Sequence, residues 1–448
     1  MPEPIDSLDA PIDWRDPALW PILSDLQGNI LKGHGRDHTQ NIFLRFDPHR
    51  VADVRKAIRS LAANVTSALT QLRETSVFKI VGRSGGTAVY LALSAAGYRA
   101  IGLTPPGNPA FLDGMAARAA ALHDPEEETW EDHLRGVHAL LIVADDSNVL
   151  VANAAALLTA GLAQSGISIL GRDSGCVPAA CVGPGVGGKG DGVEEVGNAG
   201  GRRQPLLLAE DVAAEREKEG SFIWDPGFSP RDCALVRDPH GGFGDSFGSY
   251  LVYRKLEQNG AGLQLCENAL TAALANALGM IGQARNRAGT FDDVAGGCPM
   301  RWPVRKAHPW GDMQERLGTV TQAGRSHLMP RRGIPYGERT DISDPEASRA
   351  GLLFMAYNAD IGRQFEFTQM SWANSPAFVG DALASAPNDA MEAIGGPGMS
   401  GMAVQPQCWR VGYDAPPGAS SHFAYSNFVR MRGGEYLFAP SLSALAAL

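Results

Sequence analysis

Residues 41–46 read Asn-Ile-Phe-Leu-Arg-Phe, and the apolar side chains of this stretch alternate with a period near two. That period is typical of a β-strand with one buried face. Residues 51–61 follow with apolar side chains at helical spacing, so the pattern predicts a strand and then a helix. No Rossmann glycine fingerprint accompanies this order. The sequence therefore favours an α+β fold with helices packed on a mainly antiparallel sheet.

The rest of the first half repeats the same two kinds of element. Strands are predicted at 78–81, 88–93 and 138–143, the first two as a hairpin around Gly85-Gly86, and helices at 94–101, 111–122 and 149–163. Ser94 is the predicted N-cap of the first of these helices, because a serine hydroxyl accepts a hydrogen bond from a free N–H of the first turn.

A glycine-dense segment, residues 181–201, separates this series from a second one and predicts a long loop. The second series contains predicted strands at 249–255 and 351–357, a helix at 263–278, and a hairpin over 423–438 turned at Gly433-Gly434. The chain thus divides into two predicted α+β halves, residues 1–215, which carry the loop, and residues 216–448.

Composition is that of an ordinary globular protein. The 448 residues allow two or three domains of about 150 residues each. With 44% apolar and 20% charged residues, the chain is not of the disordered class. The 39 Lys and Arg against 49 Asp and Glu give a net charge of −10, and no basic stripe is present. A nucleic-acid partner is therefore not expected.

The sequence predicts a cytoplasmic protein without a membrane partner. Residues 1–13 are acidic and rich in proline, unlike a secretory signal. The most apolar stretch, residues 149–163, is shorter than the roughly 20 residues that a membrane span requires. The six cysteines lack the paired spacing of a zinc site or a disulfide framework, so we expect reduced thiols.

Several segments in a fixed order resemble the dye-decolorising peroxidase family. The chain opens this series with Asp25-Leu-Gln-Gly-Asn-Ile-Leu-Lys-Gly33 and closes it with Gly433-Gly-Glu-Tyr-Leu-Phe-Ala-Pro-Ser441. Between them lie the family-like segments at 114–118, 224–226, 234–239, 248–258, 331–337, 353–355 and 364–367. The resemblance implies two ferredoxin-like halves with antiparallel sheets and peripheral helices, the architecture of the dimeric α+β barrel superfamily.

The resemblance also implies a heme enzyme that oxidises dyes and phenolic compounds with hydrogen peroxide. Such a site needs an imidazole ligand to iron, a distal acid–base group and an arginine. In the family these are a histidine shortly after a Cys-Pro pair, the aspartate of Gly-x-x-Asp-Gly and the first arginine of Arg-x-Gly-Ile-x-Tyr-Gly. The last of these falls on Arg331. Pairing of Arg331 and Arg332 with carboxylates such as Glu338, or with backbone carbonyls, is the structural alternative.

The ligand position departs from the family pattern. The segment that begins with Cys298-Pro299 places Pro303 where the family has its histidine, and proline offers iron no donor atom. His308 lies five residues further on, between prolines, and is the remaining candidate for the heme and metal ligand. A surface or loop histidine is the alternative, and Cys298 is expected to be a packing cysteine.

The acid–base position departs as well. With residues 201–205 set on the family's downstream flank, Gly200 falls where the aspartate should be. A second register uses Gly188-Lys-Gly-Asp-Gly192 and supplies Asp191 as the acid–base candidate, although aspartate in a glycine-rich loop is usually a solvated turn residue. Glu194 and Glu195 could supply a substitute carboxylate or simply add surface charge.

Two functional hypotheses follow, with a structural one beside them. The first is a heme peroxidase of this family, with hydrogen peroxide and a small molecule as substrates, whose conventional activity is weak or lost. The second is a heme-free, peroxidase-like protein whose pocket binds another small molecule. The third is a structural role as a partner in an assembly, such as a homo-oligomer.

Overall fold

The structure is a computed structural model. It describes residues 6–82, 84–177, 204–219, 227–258, 324–337, 350–373, 407–410, 420–423 and 429–448. The predicted loop at 181–201 and the predicted helix at 263–278 lie outside these residues.

Ten α-helices lie in the described residues: α1 (Trp20–Asp25), α2 (Val51–Ala62), α3 (Ala68–Val81), α4 (Ala95–Ala100), α5 (Pro109–Asp113), α6 (Met115–Leu122), α7 (Asn148–Thr159), α8 (Ala209–Glu219), α9 (Pro230–Cys233) and α10 (Leu442–Ala446). The same residues contain eleven strands: β1 (His38–Phe46), β2 (Ala88–Ser94), β3 (Ala139–Asp145), β4 (Ile167–Cys176), β5 (Val236–Arg237), β6 (Phe247–Gln258), β7 (Ile334–Tyr336), β8 (Gly351–Asn358), β9 (Gln407–Arg410), β10 (Ser420–Phe423) and β11 (Val429–Ala439). Two π-helices, Gly362–Glu366 and Thr368–Ala373, follow β8.

The main sheet contains the same strand arrangement twice. Its order is β4-β1-β3-β2-β11-β6-β8-β7, with β5 beside β6, and its ladders are antiparallel. In the first half the order is β4-β1-β3-β2. In the second half, β6, β7, β8 and β11 are the first to fourth strands, and their order β11-β6-β8-β7 is the same. This is the strand order of a ferredoxin-like βαββαβ unit. The α+β fold with antiparallel sheets and peripheral helices is thus confirmed, while the division at residues 215 and 216 stays a prediction.

The sheet curls so that its end strands approach each other. A Cβ built on Gly175 of β4 would lie 2.4 Å from Cγ2 of Ile334 in β7, so glycine permits this close approach. Side chains are buried on both faces of the sheet, as β6 illustrates: Leu251 and Tyr253 lie in one core cluster, and Tyr250 and Val252 in the other. Covering both faces explains why the central strands are almost continuously apolar.

The predicted hairpin at 78–81 and 88–93 is wrong in its first strand. Residues 78–81 are the last turn of α3, whose N-cap Ser67 accepts a hydrogen bond from the N–H of Thr70. Gly82 ends the helix in the left-handed conformation, with φ of +68°. The β-branched side chains of Val77, Ile80 and Val81 are exposed, which removes the one-sided apolar pattern by which a helix is recognised.

Glycine residues account for two further differences between the predicted elements and those of the structure. The predicted helix at 111–122 is two helices, because Gly114 between α5 and α6 has a φ of +81°. The predicted hairpin at Gly433-Gly434 is wrong, because β11 runs through both residues with a register shift next to Gly433. A Cβ at Gly433 would lie 2.8 Å from Cβ of Leu134, so the glycine marks close packing rather than a turn.

Helix α7 is the most apolar exposed element. The region Asn148–Ser165 is long and apolar enough, by length and composition, to cross a membrane, and 17% of it is buried. A single helix of this kind is weak support for a membrane protein. The predicted helix at 149–163 is confirmed in its main part.

A charged cluster joins the two halves where β4 meets β7. Nζ of Lys255 donates to Oε2 of Glu131 and to Oδ1 of Asp173, each at 2.7 Å. The phenol of Tyr253 donates to the other oxygen of Asp173 at 2.8 Å, and Nε2 of His133 lies 3.2 Å from Oδ1. Burial acts to raise the pKa of Asp173, but the hydrogen bond from His133 and the charge of Lys255 outweigh it and lower the pKa.

We expect Lys255→Met to destabilise the fold by roughly 3 kcal/mol at pH 7, because the buried carboxylate of Asp173 loses its ammonium partner and the partly buried Glu131 keeps only Arg432. The pKa of Asp173 lies below its unfolded value, so the stabilisation is present above that value and disappears as the pH falls through the folded pKa. Urea unfolding at pH 7 and at pH 3 measures both effects.

The matched control is Lys79→Met, which breaks a more exposed pair with Glu210 and is expected to cost no more than about 1 kcal/mol. Equal losses in the two variants, or a loss for Lys255→Met that is independent of pH, would contradict this account of the cluster.

Candidate functional site

Arg331 lies on a short extended segment that is held against β8. It forms a β-bridge with Ala356, and the N–H of Arg332 donates to the carbonyl of Met355 at 2.7 Å. The N–H of Arg331 donates to Oε1 of Gln204, also at 2.7 Å. Gln204 stands four residues after Gly200 in the sequence. The fold therefore brings the end of the segment that carries the acid–base position to the backbone of Arg331.

Arg331 is the sequence-predicted site residue that the structure describes. Asp191, Gly200, Pro303 and His308 lie outside the described residues, as do Cys298, Glu194 and Glu195. Their predicted roles stay predictions.

Arg332 binds backbone carbonyls, as the structural alternative for the arginine pair predicts. Its Nε donates to the carbonyl of Asn29 at 2.7 Å and its Nη2 to that of Ile30 at 2.9 Å. Nη1 donates to the carbonyl of Arg331 at 2.8 Å. Burial is the main cause that lowers the pKa of Arg332 to about 10, so the side chain is charged at neutral pH. Since neighbouring side chains of an extended segment point to opposite sides, the side chains of Arg331 and Arg332 lie on opposite faces of this segment.

The opening segment, residues 25–33, wraps around this arginine. Its Gln27 donates to the carbonyls of Leu91 and Pro440, both at 2.8 Å, and so joins β2 to the C-terminal end of β11. Gly28 is required by space, because a Cβ there would lie 2.5 Å from Oε1 of Gln71. That same oxygen accepts the N–H of Asn29 at 2.7 Å, while Asn29 takes a left-handed φ of +66°.

His34 follows directly after this segment and is a neutral imidazole at pH 7. Burial, with the positive charges of Arg36 and Arg332, lowers its pKa to about 4. Its Nδ1 accepts the N–H of Arg36 at 3.0 Å. The ring proton is therefore on Nε2, which makes that atom a hydrogen-bond donor.

His327 is a second histidine that the motifs did not single out. The carbonyl of Arg363 lies 2.6 Å from its Nδ1, so Nδ1 carries the ring proton and donates it. The ring stacks on Phe367 with 3.6 Å between centroids and meets Trp372 edge-on at 5.5 Å. Burial lowers its pKa, which leaves Nε2 with a free lone pair. This tautomer is the one in which Nε2 can accept a proton or bind a metal.

A buried carboxylate joins three of the family-like segments. Glu366 accepts two hydrogen bonds from the guanidinium of Arg118, at 2.9 and 2.7 Å, and a third from the phenol of Tyr436 at 3.1 Å. The hydrogen bond to Glu366 is the main cause that raises the pKa of Arg118. These contacts connect segments 114–118, 364–367 and 433–441, so the motifs meet in space as well as in sequence order.

The charged cluster around Lys255 contains the one group of possible metal ligands in the described ranges. The atoms of Glu131, His133 and Asp173 lie within 4.8 Å of one another. Because Nζ of Lys255 already neutralises both carboxylates, we assign no metal to this cluster.

Comparison with known proteins decides the family. Residues 25–175 match the family model of the DyP dimeric alpha+beta barrel domain. The chain is 32% identical to the Multifunctional dye peroxidase DyP2 of an Amycolatopsis species, over 99% of this chain and all of that protein. The chain belongs to the dye-decolorising peroxidase family.

Other members of the dye-decolorising peroxidase family support this assignment. A Dye-decolorizing peroxidase of Exidia glandulosa is 25% identical over 94% of this chain and 86% of its own length. Among solved structures, the DyP-type peroxidase of Anabaena sp. superposes with a TM-score of 0.82 at 32% identity, covering all of this chain and 97% of that one. The resemblance inferred from the motifs is thus confirmed across the whole chain.

The residues at the predicted heme-site positions of this chain do not match the cofactor of the dye-decolorising peroxidases in full. Heme is the family cofactor, and its iron is held by a side-chain nitrogen, sulfur or phenolate oxygen of the protein. Pro303, at the predicted ligand position, has none, and Gly200, at the predicted acid–base position of the first register, has no ionisable side chain. Arg331 is retained, and the contact with Gln204 holds its backbone. If the predicted register holds, two of the family's functional groups are replaced, and His308 and Asp191 stay the predicted substitutes.

We expect Gln204→Ala to lower the free energy of unfolding by about 1 kcal/mol, because the N–H of Arg331 loses its acceptor. Gln204→Glu keeps an acceptor at the same place and adds negative charge near Arg332, so its stability is expected to stay at or above the parent value. Urea unfolding measures both variants.

The control for these variants is Gln40→Ala, which removes an exposed contact with Arg172. A loss in Gln204→Ala no larger than in this control would show that Gln204 does not fix Arg331.

Proposed function

We propose that this protein is a dye-decolorising peroxidase family member in which heme-dependent oxidation of dyes and phenolic compounds by hydrogen peroxide is weak or lost. The observation that carries the proposal is the joint replacement at positions 303 and 200. Loss of an acid–base group alone costs on the order of 10²–10⁴-fold in rate. Loss of the axial ligand removes the bond that holds the iron, so the two replacements act on the same reaction.

Within this proposal the named residues have distinct roles. His308 is the candidate ligand, because it follows the Cys298-Pro299 pair and offers an imidazole. Arg331 stabilises developing negative charge in the distal pocket, and Asp191 is the candidate acid–base group under the second register. The register with Gly200 receives support from the contact between Gln204 and Arg331, because Gly200 stands only four positions before Gln204 in the sequence.

The second candidate is a heme-free protein whose pocket binds another small molecule. The observation that favours it is the set of polar groups around Arg332, whose guanidinium donates to the backbone carbonyls of Asn29 and Ile30. A cytoplasmic location and assembly as a homo-oligomer belong to the proposal under either candidate.

Absorbance of the purified protein tests the two candidates directly. We expect a weak Soret band, or none, as isolated, and slow peroxide-dependent dye oxidation after addition of hemin. Where hemin does give a band, His308→Ala is expected to remove it, because the imidazole is the ligand. Arg331→Ala is expected to keep the band and slow the turnover further. A strong band with rapid turnover in the parent protein would overturn the proposal.

Restoring the missing groups is the complementary prediction. Pro303→His together with Gly200→Asp returns a nitrogen donor and a distal carboxyl to a frame that still holds Arg331. Heme affinity, followed by titration at the Soret band, is expected to rise, and dye oxidation to exceed that of the parent. Each single variant serves as the control for the other. A folded double variant that binds hemin no better than the parent would show that the pocket itself has changed shape.

A further inference from the structure

The guanidinium of Arg332 forms no ion pair with an acidic side chain of the described residues, although the charge of Asp211 acts on it from a greater distance. Its acceptors are the carbonyls of Asn29, Ile30 and Arg331, and Oε1 of Gln204 at 3.4 Å, all of which are neutral. Within the described ranges no carboxylate lies at ion-pair distance from it. A cation that is withdrawn from water without an anion is costly.

Two other cationic side chains near residues 25–36 already have acidic partners. Lys32 pairs with Asp211, and Arg36 pairs with Glu74 at 3.1 Å. Those two carboxylates are therefore engaged, and Arg332 is the cation that still lacks an anion in this part of the structure.

The side-chain amide of Asn29 is a second unsatisfied donor at the same place. Asn29 is 1% exposed, and its Nδ2 has no hydrogen-bond partner. Its Oδ1 accepts the N–H of His34 at 3.2 Å, which fixes the orientation of the amide. The charge of Arg332, and then a weak hydrogen-bond interaction of this amide with the phenol of Tyr357, act against the burial that raises the pKa of Tyr357. That interaction does not meet the distance and angle of a formed hydrogen bond. A buried amide N–H without an acceptor is rare in native structures and marks a place where a ligand oxygen would be stabilised.

His34 supplies a third donor. Its Nδ1 is occupied by the N–H of Arg36, so the proton is on Nε2. Nε2 has no hydrogen-bond partner in the part of the chain that the structure describes. The ring lies 6.1 Å from that of Tyr90, in a stacked arrangement, so an aromatic surface borders the polar groups.

We propose that Asn29, His34 and Arg332 form a binding site for one organic carboxylate, on the face of the extended segment opposite Arg331. One full positive charge and two neutral N–H donors match a monoanion with two oxygens. A doubly charged phosphate would leave net negative charge between the buried rings of Tyr90 and Tyr357, which is unfavourable. The site goes beyond the proposed peroxidase chemistry, because it requires neither an iron ligand nor an acid–base group.

Two sources of this carboxylate share the same chemistry. One is a small free acid with an apolar body, and the other is a propionate of a porphyrin. Benzoate and metal-free protoporphyrin IX represent them, and the latter binds without any axial ligand. Binding to the full-length protein is measured by isothermal titration calorimetry for benzoate and by fluorescence for the porphyrin.

The variants are chosen to change single donors. Asn29→Asp keeps the oxygen that accepts the N–H of His34, removes the Nδ2 donor and supplies Arg332 with an internal anion, so binding is expected to disappear while the melting temperature is kept or raised. His34→Asn keeps an acceptor for the N–H of Arg36 and loses the Nε2 donor, with an expected loss in affinity of about tenfold. His138→Asn is the matched control, because Nδ1 of His138 also accepts a backbone N–H, from Phe46.

Each outcome decides the proposal. Benzoate binding that falls in Asn29→Asp and His34→Asn but not in His138→Asn supports a site for small acids. Binding of protoporphyrin IX, but not of its dimethyl ester, with the same dependence on the variants assigns the carboxylate to a porphyrin. Absence of binding by either probe at millimolar concentration overturns the proposal, as does tighter binding of inorganic phosphate. These readouts contain no iron, so they are independent of whether the proposed peroxidase function fails.

Discussion

The guanidinium of Arg332 fixes the first part of the chain to a strand that follows it by about three hundred residues. Through the carbonyls of Asn29 and Ile30, it determines where the opening segment lies. Gln71 holds the other side of that segment, and the absence of a side chain at Gly28 lets the two approach. Because backbone carbonyls rather than a carboxylate accept these hydrogen bonds, the charge of Arg332 is solvated by the protein but not neutralised. The hydrogen bonds of Arg332 therefore stabilise the fold, and its positive charge is still able to bind an anion.

Much of the fold could be predicted from periodicity. The strands near 41–46, 138–143 and 351–357 have patterns that local side chains alone explain, and the structure confirms them. Errors arose where a local signal has a tertiary cause. Residues 78–81 look like a strand, but the cap at Ser67 starts a helix that continues through them. Gly433-Gly434 looks like a turn, but Leu134 and Tyr253 approach the strand so closely that only glycine fits.

For the site, the sequence predicted which segments meet but not which side chains contact each other. The motifs indicated which segments belong together, and the contacts of Glu366 with Arg118 and Tyr436 bear this out. They could not indicate which side chains meet. The pairing of Gln204 with the backbone of Arg331 joins residues 127 positions apart and has no counterpart in local sequence. His327 stood only four residues before Arg331, so nearness to a recognised motif was the one signal that could have pointed to it.

The residues that maintain this fold are different from those that would perform the family's reaction. A chain can therefore keep the fold while the reaction is lost. Glu366 is buried and satisfied by three hydrogen bonds, so its replacement would leave the phenol of Tyr436 without its acceptor and Arg118 with only the more exposed Asp113. An axial ligand or a distal acid contributes mainly to the ligand-bound state, and its loss leaves no comparable defect in the folded protein. Under the proposed function, selection for a stable fold alone would preserve the first group and tolerate the replacements predicted at positions 303 and 200. Similarity across the whole chain is therefore strong support for the architecture, whereas turnover depends on a few side chains that the architecture does not require.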